Sequence, residues 1–494
     1  MDLQFKREPI SYLRTVVNEI QTQEQTQEVR LADGMPDVGH VISAWAQILI
    51  RGKEWRGGSV GVNGGVMVWV LYAPEDGSQP QCVETWLPFQ MKWDMDAGLQ
   101  DGMICATSFL QNVDARSVAA RKIIVRAGIG ILVHARVRDK AEIGIPQELP
   151  EDVCVLRNMY PMMLPADSGE KAFTMEEILE LPGSVPTVEK IVYYNLCPEV
   201  TEKKTMTDKL IFRGQTKLCM LYIGTDGQPH RWETELPFSQ YAELSRDCTD
   251  SADCAIQMAV TNLELEKGED GKLLLKAGLL GQHTIYDRTE VSVVEDAYSP
   301  RRQITPHTES LNLPSVLDFA TETIYAQQTL ENMEDPIMDA LFYPEMPRTY
   351  REEVGIGADM SGTFHVLGTN GEGLPHGADQ MWEESRTLTA APGVRAEMNL
   401  RDVKVSASNG KLEAEMLMDV RYLTDREMPM ITGMELGELQ ESAPDRPSLI
   451  LRRRGEQSLW EVAKQTGSTV ETIHRANGIT QEPDPDKMLL IPVL

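Results

Sequence analysis

The stretch VLYAPEDG at residues 70–77 returns as MLYIGTDG at residues 220–227, and this repetition decides how the rest of the chain is interpreted. At almost the same offset, ETWLPF at residues 84–89 returns as ETELPF at residues 233–238. Self-similarity at a fixed spacing is the signature of repeated structural units. The chain therefore contains two copies of a domain of about 110 residues.

A third, weaker copy follows the first two. MSGTFHVLGTNG at residues 360–371 resembles the stretch that ends in MLYIGTDG, and residues 403–426 resemble residues 263–288. This copy lacks both the Leu-Tyr pair and the Leu-Pro-Phe tripeptide. We interpret it as a degenerate member of the same repeat.

Local patterns within each copy predict strands. Short apolar or alternating runs such as KLCMLYIG are separated by dipeptides that favour tight hairpin turns. These dipeptides are Asp76-Gly77, Asp226-Gly227, Asp270-Gly271, Asn370-Gly371 and Asn409-Gly410. The even spacing predicts a small antiparallel β-sandwich or barrel in each copy. Between the first two copies, the capping-box pattern Thr174-Met-Glu-Glu177 predicts a short helix over Thr174–Leu181.

The C-terminal stretch GEQSLWEVAKQTGSTVETIHRANGIT, residues 455–480, predicts two short helices. Ser458 with Glu461, and Ser468 with Glu471, form two capping-box patterns. Gly467 is the expected end of the first helix, and Asn477-Gly478 closes the second. Because apolar strand-like runs flank the pair, the tail is predicted to fold as a βααβ module.

Composition limits the classes of partner. A chain of 494 residues is too long for a single core, and its net charge of −29 argues against binding to nucleic acid or anionic lipid. The charge favours solubility or a basic partner. The N-terminus shows no leader pattern and no window approaches a membrane span, so we expect a cytoplasmic chain. The scattered cysteines predict buried free thiols rather than disulfides or a zinc site.

Candidate catalytic patterns are weak. Gly57-Gly-Ser59-Val-Gly61 matches the nucleophile-elbow spacing, but that elbow requires a strand before the serine and a helix after it. Glycine-rich flanks, and the absence of a serine in the second copy, predict a hairpin tip instead. The dispersed histidines suggest no metal site, and no phosphate-binding loop is present. We predict a non-enzymatic chain with no cofactor, and we interpret Leu87, Phe89, Leu236 and Phe238 as core residues.

The repeat resembles the SPOCS domain family of spore coat proteins. The resemblance is carried by a spaced set of residues in the first two copies: Gly64, Leu71-Tyr72, Gly77 and Leu87-Pro88-Phe89, and Gly214, Leu221-Tyr222, Gly227 and Leu236-Pro237-Phe238. The tail resembles a LysM module. Serial SPOCS copies followed by LysM resemble the SipL-like spore coat morphogenetic proteins. The implied fold class is mainly β, with three tandem SPOCS repeats and a C-terminal βααβ LysM domain.

The resemblance implies a non-enzymatic adaptor of sporulation. Such proteins lie in the mother-cell cytoplasm at the forespore surface, where they bind the coat-basement morphogenetic ATPase through the LysM module and contact other coat proteins. A LysM module ordinarily binds N-acetylglucosamine polymers. The alternative is therefore a peptidoglycan-binding protein whose SPOCS copies serve as spacers or assembly modules. In the first LysM loop, however, the usual Gly-Asp-Thr/Ser-Leu is replaced by Gly455-Glu-Gln-Ser-Leu459.

These observations predict a domain plan and a partner-binding site. The predicted segments are an N-terminal segment 1–30, SPOCS repeat 31–138, linker with a short helix 139–186, SPOCS repeat 187–295, linker 296–335, SPOCS-like repeat 336–432, linker 433–447 and LysM domain 448–494. The resemblance implies partner-binding residues in the loops of the last domain: Gly455, Glu456, Gln457, Ser458, Trp460, Asn477, Gly478 and Ile479.

Overall fold

The computed structural model describes residues 2–96, 98–99, 101–268, 270–330, 333–370, 374–408, 410–440 and 447–494, with the backbone alone for 334–336. Strands make up 74% of the chain and helices 3%, which confirms the mainly β fold class. Two of the predicted turns, Asn370-Gly371 and Asn409-Gly410, lie partly outside the described residues.

The first repeat consists of two three-stranded antiparallel sheets. One sheet has the order β3-β4-β5 and the other has the order β2-β7-β6. The bounds are β2 Lys6–Arg30, β3 Val38–Arg56, β4 Ser59–Pro74, β5 Gln81–Asp94, β6 Met103–Ala119 and β7 Lys122–Ile145. Arg56 lies opposite Ser59 in the register, so the predicted hairpin tip at Gly57-Gly58 is confirmed.

The second and third repeats have the same plan. In the second, the sheets are β9-β10-β11 and β12-β13-β8. Its bounds are β8 Cys154–Leu179, β9 Val188–Thr205, β10 Lys209–Gly224, β11 Pro229–Glu243, β12 Asp253–Lys267 and β13 Leu273–Tyr298. The bounds in the third are β14 Ile304–Thr329, β15 Glu334–Pro344, β16 Arg348–Arg351, β17 Ile356–Thr369, β18 Pro375–Leu388, β19 Arg395–Ser408 and β20 Lys411–Leu436. A short β1, Asp2–Gln4, pairs with β20.

The two sheets of each repeat are separate in their strand pairing, so the sandwich is observed rather than the barrel. In the third repeat, β15 and β16 together take the place of one strand beside β17. The C-terminal module has the predicted βααβ order: β21 Leu449–Arg453, α1 Leu459–Thr466, α2 Val470–Asn477 and β22 Met488–Pro492. Its two strands pair antiparallel.

The short helix predicted over Thr174–Leu181 is wrong. These residues continue β8 up to Leu179, where Met175 lies opposite Ala277 and Leu179 lies opposite Leu273. Met175 and Leu179 are buried in the core of the second repeat. A helix here would leave the apolar strand β13 without its neighbour, and the long ladder outweighs a local capping pattern worth about 1 kcal/mol.

The segments predicted as an N-terminal segment and as linkers contain the first strand of each repeat. Residues 1–30 contain β2, 139–186 contain β8 and 296–335 contain β14. Each of these long strands pairs along its length with the last strand of the same repeat. Register shifts, such as the one between Thr15 and Val17 in β2, interrupt the alternation of buried and exposed residues in these strands. The two-residue period of a strand is therefore hard to recognise in the sequence.

The glycine and Leu-Pro-Phe motifs form one structural unit. Gly64 lies opposite Phe89 and Gly214 lies opposite Phe238. A Cβ atom on Gly64 would lie 2.1 Å from the Leu49 carbonyl oxygen and 2.9 Å from Phe89 Cζ. The neighbouring strand carries a bulge at this point, which brings its backbone close to the glycine. In the third repeat, Trp382 lies opposite Gly362 and replaces the phenylalanine.

The tyrosine of the Leu-Tyr pair fixes the start of the hairpin. Tyr72 donates its hydroxyl hydrogen to the Pro36 carbonyl at 3.0 Å, and Tyr222 donates to the Pro186 carbonyl at the same distance. Leu87, Phe89, Leu236 and Phe238 are all buried, as predicted. Pro88 is exposed on β5, an edge strand, where a missing N–H leaves no ladder bond unmade.

Beyond the sandwiches, the long strands of the three repeats pack on one another. One core cluster draws from β2 and β7, from β8 and β13, and from β14 and β20: Tyr12, Ile143, Met162, Leu164, Val291, Val293, Leu311, Leu313, Met428 and Met430. Paired strands thus extend from every repeat into a shared apolar core. The three repeats therefore pack on one another instead of forming independent domains.

A second junction between the repeats is polar and buried. Asp339 of β15 accepts hydrogen bonds from Trp45 Nε1 at 3.1 Å and from the Tyr193 hydroxyl at 2.8 Å. Its other oxygen lies 2.5 Å from the Arg231 guanidinium. Trp45 and Tyr193 stack with ring centroids 4.6 Å apart. One carboxylate therefore joins side chains from the first, second and third repeats.

His134 of β7 is buried near a second group of charged side chains. Glu397 of β19 lies 2.7 Å from the Arg421 guanidinium of β20. Burial lowers the pKa of His134 to about 3, with Glu397 opposing the shift and Arg136 and Arg421 adding to it. Although burial alone would raise the pKa of Glu397, Arg421, His134 and Arg136 lower it to about 2. Neither ring nitrogen of His134 has a hydrogen-bond partner among the described residues.

We expect Gly64→Ala to destabilise the protein by about 1–3 kcal/mol, because the new methyl group must displace the Leu49 backbone or the Phe89 ring. The matched control is Gly61→Ala on the same strand, where the nearest atom would lie 3.8 Å from the new Cβ. Urea denaturation followed by circular dichroism measures both variants. Equal stability of the two would contradict the packing role given to Gly64.

We expect stability to fall by about 2 kcal/mol between pH 7.5 and pH 5.0 through His134 alone. The unfolded imidazole takes up a proton below its ordinary pKa of about 6.5, whereas the folded one, with its pKa near 3, stays neutral. This contribution is complete above the unfolded pKa and is lost as the pH falls toward the folded one.

Urea denaturation at the two pH values measures this effect in His134→Leu, which removes the buried imidazole. The leucine variant should lose less stability on acidification than the parent. His307→Gln, which replaces an exposed imidazole, is the matched control variant. An unchanged pH dependence in His134→Leu would show that His134 titrates normally in the folded protein.

Candidate interaction module

The first predicted loop of the C-terminal module is held against a later loop. Gly455 is in the left-handed region with φ of 65°, and its N–H donates to the Pro485 carbonyl at 2.9 Å. Arg454 contacts Glu482 at 3.0 Å, and the Leu459 N–H donates to the Glu482 carboxylate at 2.8 Å. Glu456 is exposed between these anchors. Contacts on both sides of Glu456 therefore hold the loop backbone in place, and the Glu456 side chain faces solvent.

Gln457 and Ser458 lead from this loop into α1. The Gln457 side-chain oxygen accepts a hydrogen bond from Arg452, and its backbone carbonyl accepts one from Arg454 at 2.7 Å. Ser458 is the N-cap of α1, with the predicted reciprocal capping box to Glu461. Most of the polar groups of Gln457 and Ser458 thus serve the fold of the loop.

The predicted capping box of Ser468 and Glu471 is wrong, because α2 begins one residue further along the chain. Thr469, not Ser468, is the N-cap of α2, and its hydroxyl accepts the Thr472 N–H. Gly467 ends α1 in the left-handed conformation, as predicted, and the Ser468 N–H bonds back to the Ala463 carbonyl. Because Ser468 completes the end of the first helix, it cannot also begin the second.

The second predicted loop is partly structural as well. Gly478 adopts φ of 60° at the end of α2, and the Ile479 N–H donates to the His474 carbonyl at 3.1 Å. Asn477 binds both backbone groups of Leu490 in β22, donating to its carbonyl at 2.6 Å and accepting from its N–H at 2.8 Å. Ile479 packs against the core of the module.

Trp460 lies at a contact between the module and the second repeat, not in a free groove. Its indole N–H donates to Asp296 at 2.8 Å, and its ring meets Tyr298 edge-on with centroids 4.7 Å apart. The Lys464 ammonium contacts both oxygens of Asp296 at 2.7 and 2.8 Å. Burial would raise the pKa of Asp296, but the hydrogen bonds from Lys464 and Trp460 hold it below its ordinary value.

The residues that dock the module, Asp296 and Tyr298, were not predicted. They end β13, in a segment of the sequence that resembles a linker. The Tyr298 hydroxyl donates to the Ser468 carbonyl at 3.0 Å, and Tyr298 belongs to the module's own core cluster. No local signal identifies this contact. The closest sequence clue is the placement of Trp460 and Lys464 four positions apart, which puts them on one face of α1.

A serine, a histidine and an aspartate come together elsewhere in the chain. Ser43 Oγ lies 2.8 Å from His365 Nε2, and His365 Nδ1 lies 2.5 Å from Asp379. The order matches that of a hydrolase triad. However, Ser43 is 6% exposed within β3, and Gly377 packs on its hydroxyl. A substrate carbonyl cannot reach it, so the array joins the first repeat to the third.

Other chemistry is not apparent in the described part of the chain. No group of three or more His, Cys, Asp or Glu side chains is arranged to hold a metal among the described residues. All seven cysteines are free thiols. Of the helices that the structure describes, none has the length and apolar character needed to span a bilayer.

Repeated β-sandwiches with an appended βααβ module define the class of the protein as a mainly β repeat protein. Residues 187–267 match the family model described as SipL, SPOCS domain, and this segment covers β9 to β12 of the second repeat. The SPOCS character expected for this repeat is confirmed. The matched family is a non-enzymatic family of sporulation proteins, and the second repeat is similar to its SPOCS domain. No curated protein and no solved structure matches the chain.

We expect Asp296→Ala to loosen the docking of the C-terminal module by about tenfold, because Trp460 and Lys464 lose their shared acceptor. Hydrogen exchange of the backbone in α1 and at the end of β13 measures the change. Glu471→Gln, which alters an exposed ion pair on α2, is the control. Parental protection in Asp296→Ala would mean that Tyr298 alone holds the module in place.

Proposed function

We propose that this chain is a non-enzymatic adaptor of sporulation that tethers the spore coat to the forespore. In this proposal the C-terminal module is a LysM domain that binds the coat-basement morphogenetic ATPase. The SPOCS repeats contact other coat proteins. The protein acts in the mother-cell cytoplasm, at the surface of the forespore. The observation that carries the proposal is the SPOCS match in the second repeat, together with a βααβ module after the third.

The architecture supports an adaptor rather than a catalyst. The three repeats are packed through shared cores, so they form one body with extensive outer surface. The module contacts the end of β13 through α1 and the Ser468 carbonyl, and the outer face of its sheet carries exposed side chains. A body that engages coat proteins and a separate terminal module suit a protein that joins two layers.

The alternative is a protein whose module binds peptidoglycan or another N-acetylglucosamine polymer, with the SPOCS repeats as spacer or assembly modules. LysM-type sugar binding would use the groove between the loops at residues 455–458 and 477–479. In this chain, Arg452 and Arg454 bind Gln457, and Asn477 is bound to the backbone of β22. Fewer polar groups therefore remain available to a sugar, which favours the protein partner.

We expect a fluorescent fusion of the full chain to gather at the forespore surface in sporulating cells. A matched fusion lacking residues 447–494 should remain diffuse in the mother cell, because it has lost the tethering module. The full chain should also capture the purified coat-basement ATPase. Retention on peptidoglycan with no capture of the ATPase would replace the adaptor function with the carbohydrate-binding alternative.

Loop substitutions refine this test. Glu456→Gln and Ile479→Ser leave the caps and strands of the module unchanged, although Ile479→Ser also removes an apolar contact with the core of the module. If the loops at residues 455–458 and 477–479 form the partner site, both variants should fold normally by circular dichroism and bind the ATPase about tenfold more weakly or worse. Binding at the parental level in both variants would place the interface elsewhere on the module.

A further inference from the structure

Exposed apolar side chains are concentrated on the C-terminal module. Of the seventeen large hydrophobic residues that are exposed in the described chain, five lie in this module: Leu449, Leu451, Met488, Leu490 and Leu494. The module makes up about a tenth of the residues, so the density is unusual for a surface. Such a concentration marks a surface that another molecule covers.

Four of these side chains share one face of the two-stranded sheet. Leu451 lies opposite Leu490, Leu449 lies opposite Pro492, and Arg453 lies opposite Met488. Opposed residues in an antiparallel pair point to the same side of the sheet. The alternate residues Leu489 and Ile491 are buried against the helices. The outer face is therefore a continuous apolar strip that ends at Arg453.

The two edges of this sheet differ. On the β22 side, Asn477 occupies both the N–H and the C=O of Leu490. Leu490 therefore directs its backbone groups away from β21, and its register partner Leu451 must direct its own away from β22. Among the described residues, β21 pairs with β22 alone. The β21 edge is open at Leu451, whereas the β22 edge is closed by a side chain.

We propose that the β21 edge receives an extended strand from the protein partner of the module, which adds to the sheet and covers Leu449 and Leu451. This inference rests on the proposed function, because it locates the partner site within the module. Main-chain hydrogen bonds to Leu451 would fix the strand, and apolar side chains of the partner would pack on the two leucines. The added strand would leave α1 docked on the second repeat.

The charge of Arg453 indicates which kind of residue the partner strand carries at one end. Arg453 ends the strip, with 65% of its side chain exposed, and among the described residues its ion pair is with Asp486, which is 94% exposed and lies 3.6 Å away. An acidic residue at the matching end of the partner strand would pair with Arg453. A second copy of β21 offers no such residue, because LILRR contains no acid, and two chains of net charge −29 repel each other. The partner strand is therefore an apolar segment with an acidic end.

Leu451→Pro is the sharpest test of this edge. Because the Leu451 N–H faces outward, a proline there removes a donor from the open edge without breaking a bond to β22. Leu451→Lys is the second variant, since it keeps the N–H and removes the apolar contact. Ile178→Lys replaces an equally exposed apolar residue on the second repeat and serves as the control. Circular dichroism checks the folding of each full-length variant.

Binding of the purified coat-basement ATPase to the full chain is then measured by surface plasmon resonance. We expect both Leu451 variants to weaken binding by about tenfold or more, and Ile178→Lys to leave it unchanged. If the Leu451 variants bind normally while Glu456→Gln and Ile479→Ser do not, the edge site is wrong and the adaptor function stands. If the parent chain binds peptidoglycan and no ATPase, the adaptor function itself is wrong.

Sedimentation velocity tests whether a second copy of this chain covers the β21 edge instead of a partner strand. A dimer of the parent chain that becomes monomeric in Leu451→Pro would show that a second copy covers the edge, which overturns the proposal of a partner strand. A parent that sediments as a monomer, together with loss of ATPase binding in both variants, supports it. Should Leu451→Pro fail to fold, Leu451→Lys decides between these outcomes.

Discussion

The buried carboxylate of Asp339 sets the arrangement of the three repeats. It accepts from Trp45 in the first repeat, and from Tyr193 and Arg231 in the second, while it belongs to the third. A buried charge is tolerated only when its partners are in place, because an uncompensated one costs several kcal/mol. Each repeat must therefore dock in one orientation for the others to dock at all. Hydrophobic burial drives the packing, and this carboxylate selects the geometry.

That geometry explains why the long strands matter more than the sandwiches for the shape of the protein. The long strands of all three repeats meet in the core that contains Tyr12, Leu164 and Leu313. The core can form only if the repeats are already oriented. Polar contacts hold that orientation at Asp339 and at the Glu397–Arg421 pair, which contacts Asn18 of the first repeat and Tyr286 of the second. Titration of the buried His134 then couples the stability of the junction to pH.

The repeats and their strand character were predictable from the sequence because they rest on periodic signals. Gly64, Tyr72 and Phe89 recur with fixed spacing since each meets the same neighbours in its own sandwich. The helix predicted at Thr174 failed because a short capping pattern is weaker than pairing with β13. The contacts of Asp339 lay beyond prediction, since Trp45 is 294 residues away. Nothing local in either segment signals such a partner.

The C-terminal module shows the same division between local and distant signals. Its helix ends follow from Ser458, Gly467 and Gly478, whose conformations are decided within a turn of the chain. Its docking depends on Asp296 and Tyr298 at the end of a distant strand. Docking through α1 leaves the outer face of the sheet uncovered, so the contact with the second repeat and the proposed partner site lie on opposite sides of the module. A partner strand of the kind proposed for β21 would therefore bind without breaking the contacts of Asp296 and Tyr298, because those contacts belong to the other side of the module.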